Sequence, residues 1–205
     1  MPRVILLDFD GVLAETDNVH VAAWEQVFDR IGLDVPLDLC ERAPLVEDEA
    51  LFVEVLARLK LRDADASGWV RRKREIAGEL FAREVHIDPD AAALVRLLAG
   101  RSRLAAVSTA RGDDVRAVLS RAGLADAFEI VAAGAEMMAG VSTYQHALKE
   151  LQEVAAEALA VVSTDVGHAS ATASGLRVLR VGRGEPGRVD VRDAGAVVDA
   201  IEALG

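Results

Sequence analysis

The chain has 205 residues and is 52% apolar, enough for one good core or a core with a small inserted lobe. A net charge of −11 disfavours nucleic-acid phosphates and anionic membrane surfaces as partners. Cys40 is the one cysteine, which excludes an intrachain disulfide. With no charged-then-apolar opening segment and no apolar run of spanning length, the expectation is a cytoplasmic protein.

Residues 3–7 form a short apolar run, Val4-Ile5-Leu6-Leu7, that ends in Asp8-Phe9-Asp10-Gly11. A continuous apolar run bounded by a turn reads as a buried parallel strand. The stretch from residue 17 to 85 then shows helical periodicity only. Apolar residues recur at three- and four-residue spacing over 18–31, 48–59 and 66–81. Within the last of these, Arg71-Arg72-Lys73-Arg74 reads as a solvated helix face. Beyond residue 85 strands alternate with helices. Apolar runs at 104–107, 129–132, 158–162 and 177–181 are separated by helical patterns at 113–122, 143–154 and 168–174, and residues 193–204 close the chain. Residues 182–187, rich in glycine, read as a surface loop. Such alternation predicts a parallel sheet with right-handed crossovers. The expected fold is α/β: a Rossmann-like parallel sheet core of residues 1–15 and 86–205, with an inserted helical cap of residues 16–85.

In open α/β sheets, ligands bind outside the carboxyl ends of the strands. Asp8 and Asp10 follow the first strand, Ser108 and Thr109 the second, and Ser163, Thr164 and Asp165 the fourth. Asp8 and Asp10 share one face of an extended strand end. Two adjacent carboxylates repel each other or hold a cation, and Mg²⁺ is the natural oxygen-bound neutraliser. A carboxylate can also attack phosphorus while its neighbour serves as general acid and base. Gly11 lets the backbone turn tightly and approach a ligand. Read alone, an Asp doublet can equally be a turn that ends a strand.

Leu7-Asp8-Phe9-Asp10-Gly11-Val12-Leu13 resembles the first motif of the haloacid dehalogenase superfamily. The continuation to Leu33, with His20 and Trp24, looks like its β-phosphoglucomutase and CbbY-like branch. Ala105-Ala106-Val107-Ser108-Thr109-Ala110-Arg111 is similar to the second motif. The resemblance implies that Asp8 is the nucleophile and Asp10 the acid/base. It implies that Ser108 binds phosphate, with Gly11, Thr109 and Arg111 toward substrate; His20 is expected either to contact substrate or to pack at the hinge.

The chain departs from that pattern in three places. No lysine occurs between Lys73 and Lys149, and aligning on Tyr144 puts Met138 where the third motif has its lysine. Val162 and Ser163 occupy the acidic positions of the fourth motif. Asp165, two residues on, is then the expected metal ligand beside Asp8 and Asp10, with an N-cap role as its alternative. The stretch around residues 43–49 is acidic where the phosphomutases carry basic residues, which argues against that activity. The expected function is a Mg²⁺-dependent phosphatase of a small phosphorylated metabolite through an Asp8 phosphoaspartate. The three departures also suit a catalytically decayed member acting as a binding or regulatory module.

Overall fold

The computed structural model describes residues 1–43, 48–61, 66–134 and 142–205. The stretch carrying Met138 lies outside the described residues, as does Glu47 of the acidic stretch, whose Asp48 and Glu49 are described.

The chain opens with β1 (Val4–Asp8), followed by α1 (Asp17–Arg30), α2 (Leu37–Cys40), α3 (Asp48–Arg58) and α4 (Ala66–Glu84). Next come α5 (Pro89–Ala99), β2 (Arg103–Ser108), α6 (Gly112–Arg121), β3 (Ile130–Ala133) and α7 (Thr143–Glu150). The remainder is β4 (Ala158–Val162), α8 (Asp165–Ala173), β5 (Arg177–Gly182), β6 (Val189–Asp190) and α9 (Ala194–Leu204). Two compact units result: Met1–Glu15 with His86–Gly205, and Thr16–Val85.

The first unit is α/β and Rossmann-like, a six-stranded sheet in the order β3-β2-β1-β4-β5-β6. Each pairing is parallel. The chain winds outward from β1 to β3, then returns to lay β4 beside β1. This reversal puts the topological switch point at the carboxyl end of β1. Every residue of β1 is buried, as expected of a central strand covered on both faces. Alternation sorts the strand between two layers. Val4 and Leu6 join Ala105, Val107, Ala160 and Val162 in an apolar cluster with Tyr144, Ala147 and Leu148 of α7 and Ala171 of α8. Asp8 has the same parity and therefore faces the same layer.

Several boundaries differ from the sequence expectation. The helix α8 starts at Asp165 rather than residue 168, because Thr164 caps it: its Oγ1 accepts from the Gly167 amide at 3.0 Å. Ser142 and Gln145 form a reciprocal capping box that starts α7, which stops at Glu150. The helix α5 is an unexpected element, although Asp88-Pro89 and the apolar spacing Ala91, Leu94, Val95, Leu98 mark it.

Glu15 and Asp88 flank the points where the chain leaves and rejoins the sheet unit. The Asp88 amide donates to the Leu13 carbonyl at 3.1 Å. Arg183, in the turn after β5, pairs with Glu15 at 2.6 Å and also with Asp88.

The second unit is helical among its described residues. In it α1 and α4 pack together. Trp24, Phe28 and Phe52 form a stacked trio with centroids 5.1, 5.6 and 6.2 Å apart. The α4 residues Val70, Lys73, Ile76 and Leu80 are buried. Lys73, expected on a solvated face, is 2% exposed. The helical period is the reason: three residues separate it from Val70 and three from Ile76, so it shares their face, while Arg71 and Arg74 remain exposed.

Candidate active site

The site grows from the carboxyl ends of β1, β2 and β4. Asp8 ends β1, opposite Val107 of β2, and Asp10 follows in a tight turn. The turn closes through Gly11 N–H to the Ala14 carbonyl at 2.7 Å and through Leu13 and Ala14 amides to Phe9. Gly11 has φ +73°. A side chain there would strain the backbone and collide with the Ser163 hydroxyl. Glycine is therefore needed for the β1 turn to come up against the end of β4.

Three polar residues meet at this point. The Ser108 hydroxyl donates to Asp10 Oδ2 at 3.1 Å and accepts from the Ala110 amide at 3.1 Å. The Ser163 hydroxyl donates to the Asp10 carbonyl at 2.9 Å. Arg188 in turn donates to the Ser163 carbonyl at 2.6 Å. Asp10 is thus gripped from both neighbouring strands, β2 through its side chain and β4 through its backbone.

Asp8 is enclosed more deeply. Its Oδ1 accepts a hydrogen bond from the Tyr144 hydroxyl. Its Oδ2 lies against Gly167 in the first turn of α8, where a Cβ would come within 2.6 Å of it. Burial pushes the Asp8 carboxyl up to about 7; the Tyr144 bond opposes this and the nearby Asp10 charge adds to it. Burial and the two aspartates push the Tyr144 phenol upward as well, so the proton of this bond belongs to the tyrosine. A buried aspartate raised this far beside a second carboxylate is a candidate for chemistry.

The other expected residues separate. Thr109 and Arg111 are exposed, with Arg111 at the N-cap position of α6. Asp165 does not join the aspartate pair. With Thr164 as N-cap, Asp165 takes the first helical position, where its carboxylate is 84% exposed and ion-paired with Arg180. Arg188 approaches it at 3.7 Å. Among the described residues no group of three or more His, Cys, Asp or Glu is arranged to hold a metal ion. Mg²⁺ commonly uses one or two carboxylates, its own waters and substrate phosphates. Asp8 and Asp10 are the carboxylates at hand, and positive charge would relieve their mutual repulsion.

His20 belongs to the helical unit. Its Nδ1 is 2.8 Å from Lys73 Nζ. Lys73 is also ion-paired with Asp48 at 2.7 Å and sits 6.0 Å from the Trp24 ring centroid. An ammonium only donates, so Nδ1 is the acceptor and Nε2 carries the ring proton. Burial, then the Lys73 charge, lower His20 to about 4, so the imidazole is neutral at pH 7.

Two residues of consequence escape a reading of the sequence. Tyr144 served there only to mark register, yet a lone tyrosine in an aliphatic layer needs an acceptor for its hydroxyl. Lys73 was hidden in a basic run whose helical phase marks it as inward.

Several known proteins are similar to this chain. A family model for haloacid dehalogenase-like hydrolases matches residues 2–163. Protein CbbY of Rhodobacter capsulatus is 30% identical over 191 residues, covering 86% of this chain and 84% of that protein. The crystal structure of CbbY from Rhodobacter sphaeroides in complex with phosphate superposes with a TM-score of 0.75 at 26% identity, covering 95% and 97% of the two chains. A mutant CbbY from Rhodobacter sphaeroides in complex with xylulose-(1,5)bisphosphate gives 0.72 at 25% identity, covering 93% and 92%. The switch-point aspartate pair, the parallel sheet that carries it and these matches together place the chain in the haloacid dehalogenase-like hydrolase family.

Proposed function

We propose that this chain is a phosphatase of a small sugar phosphate, working through a phosphoaspartate on Asp8. One observation carries the reading: Asp8, Asp10 and Ser108 lie together at the carboxyl ends of adjacent central strands, with Ser108 bonded to Asp10 at 3.1 Å. The similar CbbY structures, which hold phosphate and xylulose-(1,5)bisphosphate, support the substrate class.

In the first step an Asp8 oxygen attacks phosphorus and the ester P–O bond breaks. Asp10 gives its proton to the departing oxygen. In the second step Asp10 takes a proton from water, the water oxygen bonds to phosphorus, and the Asp8–phosphorus bond breaks to release phosphate. Ser108 holds a phosphoryl oxygen, with Gly11, Thr109, Arg111 and His20 as substrate contacts. Mg²⁺, held by Asp8 and Asp10, would supply positive charge to the phosphoryl oxygens. The helical unit is the proposed cap. The acidic chain is proposed to act in the cytoplasm, and no helix among the described residues is long and apolar enough to cross a membrane.

The test is phosphate release from a panel of sugar phosphates that includes xylulose-1,5-bisphosphate, with and without Mg²⁺. Release by the wild type, lost in Asp8→Asn, is expected. No release from any ester overturns the reading, and undiminished release by Asp8→Asn overturns the phosphoaspartate.

A further inference from the structure

We infer that Tyr144 is a positioning residue for Asp8: its phenol secures Oδ1 and so reserves Oδ2 for the attack on phosphorus. The inference rests on the phosphatase reading and adds to it the group that orients the nucleophile.

The geometry starts with α7. The Ser142–Gln145 capping box fixes where the helix begins. The Ser142 hydroxyl is also 2.8 Å from that of Ser174, at the far end of α8. Tyr144, at the second helical position, therefore enters the apolar layer at a fixed place. Its ring is 3% exposed among Val4, Leu6, Ala160 and Val162. A buried phenol must find an acceptor, and Asp8 follows Leu6 on the same strand face. The Asp8 carboxylate is then held at Oδ1 by the Tyr144 hydroxyl, while Oδ2 faces the side-chain-free position of Gly167, where any Cβ would come within 2.6 Å of it. A carboxylate otherwise rotates about its terminal torsion in a broad well, and either oxygen could present itself. Fixing that rotation presents one oxygen in one direction.

The chemistry of the donor matters. The resemblance expects a lysine in this part of the chain, and none occurs between Lys73 and Lys149. A phenol orients the carboxylate without adding a positive charge.

Tyr144 is the chain's only tyrosine, so the tyrosine Fermi doublet of the Raman spectrum reports this hydroxyl alone. The wild type should show a strong donor, and Asp8→Ala should lose that signature. An identical doublet in both overturns the contact. Kinetics on the most active ester of the panel test its role. Tyr144→Phe should lower kcat by about 10- to 100-fold, with KM little changed and the melting temperature close to wild type. An unchanged kcat overturns the positioning role, as does a loss confined to KM. A wild type that turns over no ester sinks the phosphatase reading instead, and the doublet then decides by itself whether Tyr144 holds Asp8.

Discussion

Each of the two units buries one polar cluster, and the two are balanced in opposite ways. In the helical unit a cation, Lys73, is met by Asp48 at 2.7 Å and by a neutral imidazole at 2.8 Å. In the sheet unit two carboxylates lie close together, and Asp8 receives only a neutral phenol among the described residues. Burying a charge is tolerable when a partner of opposite sign is buried with it. The helical cluster follows that rule and is stable as built. The sheet cluster breaks it, so Asp8 retains a strong affinity for a proton, a cation or an electrophile. That contrast separates a site that stabilises its unit from one suited to chemistry.

Four experiments test the contrast. Asp8→Asn should have the largest effect, a fall in turnover on the order of 10³ or more, since the proposed nucleophile is removed; phosphate release measures it. Lys73→Met should cost about 1–3 kcal/mol of stability, because Asp48 and His20 lose the donor they share while Arg74 still pairs with Asp48 at 3.2 Å. Urea unfolding of that variant should also show partial recovery when Asp48→Leu is added. If Lys73→Met alone is neutral, the helical cluster is not an ion pair of consequence.

The third experiment concerns pH, and the two clusters have opposite signs. Asp8 is raised from 3.8 to about 7 in the folded chain. Between those values the folded state binds the extra proton, so this group's stabilisation is full below about pH 4 and is lost as pH rises through 7. His20 is lowered from 6.5 to about 4. Between those values the unfolded state binds the extra proton, so this group's stabilisation is present above 6.5 and is lost as pH falls through 4. In metal-free buffer the two slopes oppose each other between about pH 4 and 6.5. Asp8→Asn should leave a stability that rises with pH across that window, and His20→Gln one that falls. Two variants with the same slope would refute the assignment. Gly11→Ala should cost at least about 1–2 kcal/mol, since a side chain at φ +73° also meets the Ser163 hydroxyl, read as a shift in the urea midpoint.

Much of the sheet unit is legible in the sequence because buried parallel strands are continuous apolar runs, and β1, β2, β3, β4 and β5 all announce themselves this way. Asp8 and Asp10 are legible because they interrupt such a run at its end. What escaped depends on phase and on distance. Lys73 sits among arginines and differs from them only in the face it occupies. Tyr144 lies 136 residues from its acceptor, and only the parity of β1 and the layering of α7 bring the two together. Asp165 misled because a carboxylate two residues past the expected position faces solvent once Thr164 takes the cap. The short strand β6 has only two residues and too little pattern to read.

The ties at the two crossing points have a consequence for how this architecture can be altered. Leu13 and Asp88 are joined by a backbone hydrogen bond of 3.1 Å, and Arg183 grips a carboxylate beside each crossing. Seventy residues therefore leave and return through one narrow doorway. A segment whose ends meet can be exchanged as a cassette, because a short turn closes the gap at little cost in loop entropy. The sheet unit should accept a foreign insert, or a tight turn in place of its own, without rearranging the aspartates beside the splice.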